Sequence, residues 1–302
     1  MSVVDQSLGL KGLSNELAAL VERVSASVVR IEDGTRLTAT GVVWSQDGTI
    51  VTTSHGVERD EDLAIELADG TVEAATLVGR DADTDIAVLR VQSNNLSAIP
   101  RGETDTARVG SLVMAIARPG RGGLQASLGI ISARTETQSG GRSEYLLHTD
   151  AEMNPGYSGG ALVDVDGNFV GLTNLMFGRG RGIALGTPIV ASIAQALLTG
   201  GRVQCGYLGV RTQQVTLPDS VRERLPRSQD HALLVAQVES SSPAETAGLL
   251  LGDTLIELND APITDVDSLR RLLRQHTPGT EVLVGIVRGG AIEHVSVTLG
   301  SE

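Results

Sequence analysis

Residues 150–162 read Asp-Ala-Glu-Met-Asn-Pro-Gly-Tyr-Ser-Gly-Gly-Ala-Leu. Glycines on both sides of Ser158 allow a tight turn that exposes its hydroxyl and aims nearby backbone N–H groups at one point. Acyl transfer needs both features: an accessible nucleophile and donors for the developing oxyanion. The same string also fits a plain glycine turn, so the rest of the chain must supply the partners of a nucleophile.

A nucleophilic serine needs a base, and the chain holds five histidines, His55, His148, His231, His276 and His294. His55 ends the run Ile50-Val-Thr-Thr-Ser-His, and a strand end is a rigid mount for an imidazole. His148 lies nearer Ser158 in sequence, but its alternating segment Tyr145–Asp150 reads as a strand. The base in turn needs a carboxylate to fix its tautomer and stabilise its charged form. Asp85 stands directly before the apolar run Ile86-Ala-Val-Leu89 and meets that need. Asp81 and Asp83 in the same segment read as solvated turn residues. His55, Asp85 and Ser158 are thus the candidate base, orienting acid and nucleophile.

Outward from these points, the chain from Ser27 to about Val190 breaks into roughly a dozen short strands. Val28–Ile31, Gly41–Trp44, Thr49–Val51, Leu63–Leu67, Ile86–Leu89, Leu112–Ile116, Gly129–Ser132, Ala161–Val163 and Phe169–Leu172 carry the pattern, with Asp69-Gly70 as a hairpin turn. That spacing predicts a sandwich or barrel rather than a parallel sheet. Before them, Leu10, Leu13, Leu17, Leu20, Val21 and Val24 form a helical stripe, with Ser14 as a candidate cap and Glu16 in the first turn. It fits either a helix packed on the body or an oligomer contact. Helical periodicity returns at Ile189–Leu198, and Thr199-Gly-Gly-Arg202 reads as a boundary. Beyond it, Leu233–Val235, Thr254–Leu258 and Val282–Val287 read as strands and Asp267–Gln275 as a helix, enough for a small α+β domain.

Composition sets the limits. The chain has 36 glycines but only two Phe, one Trp and three Tyr, so turns are frequent and aliphatic side chains must fill the cores. The formal net charge of −13 repels nucleic acid and anionic membranes, so the Arg-Gly-Gly pieces at Arg121 and Arg288 read as glycine turns. No run approaches the roughly 18–20 apolar residues that span a bilayer. Cys205 is the single cysteine, which excludes an intrachain disulfide and a cysteine-rich metal site. The first residues lack a basic region followed by an apolar core. The expected location is therefore cytoplasmic for a complete chain, or exported if a leader has been removed.

Together these strings resemble the HtrA (Deg) family of chymotrypsin-fold serine proteases with PDZ domains. The matching strings are Ser27-Val-Val-Arg-Ile31, Ile50–His55, Asp81–Leu89, Gly129-Ile-Ile-Ser-Ala133 and Thr149–Leu162. In the last third they are Tyr207-Leu-Gly-Val210, Ser242-Pro-Ala-Glu-Thr-Ala-Gly-Leu249 and Gly252–Asn259. The resemblance implies a mainly β fold: two six-stranded antiparallel β-barrels with the site in their cleft, then a C-terminal α+β PDZ domain. The expected parts are an N-terminal helical segment at 1–26, a protease domain at 27–198, a linker at 199–206 and the PDZ domain at 207–300.

By the same resemblance Ser158 is the nucleophile, His55 the general base and acid, and Asp85 the orienting carboxylate. Gly156 and Ser158 supply the oxyanion N–H groups. Tyr207, Leu208, Gly209 and Val210 form the loop that takes a peptide's C-terminal carboxylate, with the helix bearing Leu269, Leu272 and Leu273 beside it. The implied activity is serine endopeptidase action on unfolded or damaged proteins through an acyl-enzyme, with no metal or organic cofactor and no nucleic-acid partner. A homotrimer is left open. A non-catalytic peptide-binding scaffold, and a protease latent until PDZ or oligomer activation, are the alternatives.

Two positions and two segments depart from the family pattern. Tyr157 stands where a small polar residue is usual, and Gly56 where a branched apolar one is. Ala117-Arg-Pro-Gly-Arg121 replaces a more glycine-rich loop, and the segment before Ser27 lacks the aromatics that join relatives into trimers. Leu172–Leu175 and Gly182–Gly186 should line the primary specificity pocket. They carry no acid, so a small or medium aliphatic residue is expected there, not a basic one.

Overall fold

The short apolar runs close into barrels. The computed structural model describes residues 9–34, 38–93, 96–102, 107–120, 122–139, 142–177, 182–200 and 206–301. Two compact units form, with the main division between Val203 and Gln204.

In the first unit, β1 (Val28–Glu32), β2 (Thr38–Ser45), β3 (Thr49–Thr53), β4 (Leu63–Glu66), β5 (Val72–Asp81) and β6 (Ile86–Val91) build one closed barrel in the order β1-β2-β3-β6-β5-β4. A second holds β7 (Leu112–Ala117), β8 (Gln125–Ser139), β9 (Arg142–Thr149), β10 (Ala161–Val163), β11 (Phe169–Asn174) and β12 (Gly182–Gly186). Read from its first strand, its order is β7-β8-β9-β12-β11-β10, the same topology as the first barrel. Closure leaves no free sheet edge in either. The expected mainly β, two-barrel architecture is borne out.

Each barrel has its own aliphatic filling: Val29, Ile31, Val43, Ile50 and Leu89 in the first, Val113, Ile131, Leu147, Leu162 and Val170 in the second. A third cluster lies between them and takes in both helices of this unit. Trp44 meets Phe169 there edge-on, with ring centroids 5.7 Å apart. Helix α1 (Leu10–Ser25) buries Leu20 and Val24, and α2 (Thr187–Gly200) buries Ile189, Val190, Ala194 and Leu197 at helical spacing. Burial of so many β-branched and leucine side chains, at about 1.5–3 kcal/mol each, holds the barrels together with few aromatics.

Two local readings need correction. α1 starts at Leu10 with Gly9 as its cap and no capping side chain, so Ser14 lies inside the helix. The Leu10 and Leu13 end of the stripe simply extends the helix one turn earlier. Thr199 and Gly200 form the last turn of α2 rather than a loop. The adjoining boundary residues 201–205, with Cys205, lie outside the described residues, as does Arg121.

The second unit is a sheet in the order β13-β14-β15-β17-β18, with β16 paired to β15. Its strands are β13 (Val210–Thr216), β14 (His231–Val238), β15 (Thr254–Leu258), β16 (Ala261–Pro262), β17 (Glu281–Arg288) and β18 (Ala291–Thr298). Short helices α3 (Asp219–Arg222) and α4 (Pro243–Thr246) join α5 (Val266–Arg274), whose Asp265 cap and Ser268 satisfy each other's N–H groups as a capping box. Gly289 and Gly290 have φ of 55° and 84° and turn β17 into β18, so the Arg-Gly-Gly string at Arg288 is indeed a hairpin turn. Among the described residues no helix is long and apolar enough to cross a membrane.

Candidate active site

Asp85 stands directly before β6 in the first barrel, in the left-handed region at φ 57°, with only 2% of its surface exposed. Its Oδ1 accepts the His55 backbone N–H at 2.8 Å, and its Oδ2 lies 2.5 Å from His55 Nδ1. The Ser54 N–H donates to the Asp85 carbonyl at 3.0 Å. The end of β3 and the start of β6 are therefore laced together, and the imidazole can turn only one way. With Nδ1–H given to the carboxylate, Nε2 carries the lone pair, the tautomer a general base requires.

Asn174, fully buried at the end of β11, donates from Nδ2 to Asp85 Oδ2 at 2.8 Å. The next residue, Leu175, donates its backbone N–H to Ser158 Oγ at 3.2 Å. One strand end of the second barrel thus reaches both the acid and the hydroxyl. The structure joins Asp85 and His55 directly and brings Ser158 to them through Asn174–Leu175. Ser158 Oγ makes no hydrogen bond to His55 here. Such contacts are often long in a ligand-free site and tighten when substrate binds.

The turn around Ser158 is built as its glycines require. Gly156 and Gly159 have φ of 91° and 84°. A Cβ on Gly159 would lie 2.0 Å from the Thr40 carbonyl oxygen. Tyr157 N–H is spent on Asn154 O, Gly159 N–H on Thr173 O and Gly160 N–H on Tyr157 O. Among the described residues the Gly156 and Ser158 N–H groups have no acceptor, which leaves those two unspent for an oxyanion.

Thr40 of β2 crosses from the first barrel to this turn. Its N–H donates to Ser158 O at 3.2 Å and its hydroxyl to Gly156 O at 2.7 Å. Neither Thr40 nor Asn174 is identifiable from sequence, since each is a polar residue that reads as part of a strand. Asp81, expected as a solvated turn residue, is only 9% exposed at the end of β5 and accepts from Thr84. Its position in the barrel wall, not its polarity, decides its burial. His148 is a β9 strand residue opposite Ile183, bonded to Thr135 rather than to any of the triad candidates.

Two departures from the family pattern have a packing reason. Tyr157 is 3% exposed and fills the second barrel's core beside Met153 and Leu175. Burial pushes its phenol pKa up, with the Glu152 charge adding and the Ser127 hydroxyl opposing. A Cβ on Gly56 would sit 2.7 Å from the Ala39 Cβ, so this chain has no room there for a branched residue.

In the second unit, Tyr207 pairs with Gly300 through N–H···O bonds of 2.9 and 3.0 Å. Gly209 has φ 81°, and its missing Cβ would lie 2.2 Å from the Ser242 Cβ. The Leu208 carbonyl accepts from Ala244 and the Gly209 carbonyl from Glu239. Among the described residues the Leu208 and Gly209 N–H groups have no acceptor. Val210 then opens β13, which among the described residues pairs only with β14 and so stands at the edge of the sheet. Leu269 and Leu272 of α5 belong to the core, while Leu273 is partly buried.

The family model described as "Trypsin-like peptidase domain" matches residues 39–172, and the one described as "PDZ domain" matches 206–299. A relative from Haemophilus influenzae, "Serine endoprotease DegS", is 32% identical over 86% of this chain and 76% of its own length. A "Probable periplasmic serine endoprotease DegP-like" from Halomonas elongata is 34% identical over 88% of this chain, which spans only 56% of that protein. Among solved structures, the "HtrA-type protease AlgW with decapeptide" superposes with a TM-score of 0.75 at 28% identity, covering 94% of this chain and 98% of that one. A serine endoprotease from Yersinia pestis gives 0.73 at 30% identity, covering 95% and 97%.

Proposed function

The chain belongs to the HtrA family of serine endoproteases with a PDZ domain, and on that premise we propose that Ser158, His55 and Asp85 act as its catalytic triad. The protease domain is assigned to residues 27–200, ending with α2, and the PDZ domain to 207–300, with the linker between them. Ser158 Oγ attacks a peptide carbonyl while His55 Nε2 takes its proton. Asp85 holds the imidazole and stabilises its charged form, and the Gly156 and Ser158 N–H groups receive the oxyanion. His55 then protonates the leaving amine, and water hydrolyses the acyl-enzyme by the same route in reverse. The substrates are unfolded or damaged proteins, with a non-basic aliphatic side chain before the cut. The Tyr207–Val210 loop takes a peptide's C-terminal carboxylate on the Leu208 and Gly209 N–H groups, and the peptide extends the sheet at β13.

The observation that carries the reading is the buried Asp85 carboxylate gripping His55 at both backbone N–H and Nδ1, next to a turn with two unspent amides. Casein digestion by the purified chain against Ser158→Ala tests it. Activity in the wild type alone supports it, and equal activity in both sinks it.

One observation favours a second reading, latency until a ligand remodels the site: Ser158 Oγ is held by Leu175 N–H rather than by His55. Fluorophosphonate labelling that rises only when a C-terminal peptide is added would select it.

A further inference from the structure

Arg118 follows β7 in the segment that departs from the family pattern. We infer that it is a positioning residue for the oxyanion turn, acting through Thr40. Its guanidinium is half-buried and donates from Nε to Val28 O at 2.7 Å and from Nη2 to Ser25 O at 3.2 Å. Ser25 ends α1 and Val28 begins β1, so the side chain seals the junction between them. A cation there also complements the negative end of the helix dipole. Burial draws its pKa down, with Glu66 opposing, which marks a desolvated anchor rather than a solvated surface charge.

This anchor fixes the Arg118 backbone, and the backbone does the positioning. The Arg118 N–H donates to Thr40 Oγ1 at 3.0 Å, and Thr40 Oγ1 donates to Gly156 O at 2.7 Å. A hydroxyl has one hydrogen. With a lone pair engaged by Arg118 N–H, that hydrogen is directed at the Gly156 carbonyl. The relay runs from the end of α1, through Arg118 and Thr40, to the peptide unit between Gly156 and Tyr157. Because Thr40 N–H also holds Ser158 O, the same residue grips the turn on both sides of Tyr157. Freeing it lets the Gly156 and Ser158 amides diverge, which weakens transition-state stabilisation more than ground-state binding.

The inference rests on the proposed role of Ser158 and its two amides. Steady-state kinetics on a peptide substrate with Arg118→Met, Thr40→Val and the double variant test it, with thermal midpoints recorded alongside. Each single variant is expected to lower kcat about tenfold, a fraction of the roughly 10²–10³ that a lost oxyanion donor costs, with KM within about twofold. The double variant should be no slower than the worse single, because both cut one relay. Thr40→Ser, which keeps the hydroxyl, should restore most of kcat, and Arg118→Lys, which keeps charge without the planar fork, should fall between. Wild-type kcat in Arg118→Met, multiplicative losses in the double variant, or a change confined to KM would overturn it. If Arg118→Met does not fold, full kcat in Thr40→Val overturns it equally. An inactive Ser158→Ala beside an unaffected Arg118→Met removes this inference alone, whereas an active Ser158→Ala removes the triad as well.

Discussion

Asn174 Nδ2 and His55 Nδ1 converge on one oxygen, Asp85 Oδ2, at 2.8 and 2.5 Å. The second barrel therefore holds the carboxylate that orients the His55 imidazole of the first. Asn174 Oδ1 is itself fixed by the Phe177 N–H at 3.1 Å, so the amide can present only its donor side to the carboxylate.

Asn174→Ala is expected to lower kcat at nearly constant KM. A hydrogen bond to a charged group contributes about 1.5–3 kcal/mol, roughly a 10- to 100-fold rate effect if the transition state loses all of it. Asn174→Asp, which removes the donor and sets a second charge beside Asp85, should fall further. Steady-state kinetics of the two variants check the order, and wild-type kcat in Asn174→Ala would remove Asn174 from the site.

Gly159→Ala should yield no competent site. The position has φ 84°, and the new methyl would meet Thr40 O at 2.0 Å and Thr52 Oγ1 at 2.5 Å. Both are held in place, since the Thr52 hydroxyl donates to that same carbonyl. Fluorophosphonate labelling of any soluble protein should be undetectable, and normal labelling would show the turn to be built otherwise.

Tyr157→Ala should destabilise the first unit by about 3–5 kcal/mol, the usual cost of removing a buried aromatic ring. Tyr157→Phe keeps the ring and should cost no more than about 1.5 kcal/mol. Chemical denaturation distinguishes the two, and equal losses would show that the hydroxyl, not the ring, matters.

How much of this the sequence reveals depends on what each residue type implies by itself. Ser158, His55 and Asp85 stand at the ends of apolar runs or among glycines; each alone also fits a structural role, and only their occurrence together points to chemistry. Thr40 lies inside β2 and Asn174 is the last residue of β11, where a polar residue reads as an ordinary part of the strand. Their roles depend on pairing between barrels, which no local pattern encodes. Asp81 misled for the same reason, because a carboxylate three residues before Thr84 reads as a turn until the barrel wall closes over it. Ser14 reads as a cap by its residue type, but the apolar stripe already begins at Leu10 and the helix begins with it.

The second unit should lose stability in acid. Burial alone would raise the Asp253 carboxyl, but Arg288 and the Leu250 N–H outweigh it and hold it below its ordinary 3.8. Burial likewise opposes Glu257, yet His294 and Arg227 hold it below 4.5. A carboxyl whose pKa is lowered by folding binds protons more readily in the unfolded chain. Its stabilisation is therefore complete above the ordinary value and is lost as pH falls below 4.5 for Glu257 and 3.8 for Asp253. Calorimetry between pH 7 and 3 should show this unit's midpoint falling in that window, and Arg288→Met should flatten the fall. A midpoint that rises on acidification would contradict the assignment.

Cleavage should avoid basic residues. β11 and β12 pair as Leu172↔Leu185, Thr173↔Ala184 and Asn174↔Ile183, with no carboxylate among them. Mass spectrometry of a digested unstructured protein should find small or medium aliphatic residues before the cut, and predominant cleavage after Lys or Arg would refute this.

The proposed triad, with Asp85 orienting His55 and His55 exchanging a proton with Ser158, is tested most directly by mapping a fluorophosphonate adduct with peptide mass spectrometry. The expected result is one adduct, on Ser158, strongly slowed in His55→Ala and absent in Ser158→Ala. An adduct on another residue, or labelling of Ser158 at an undiminished rate in His55→Ala, would contradict it.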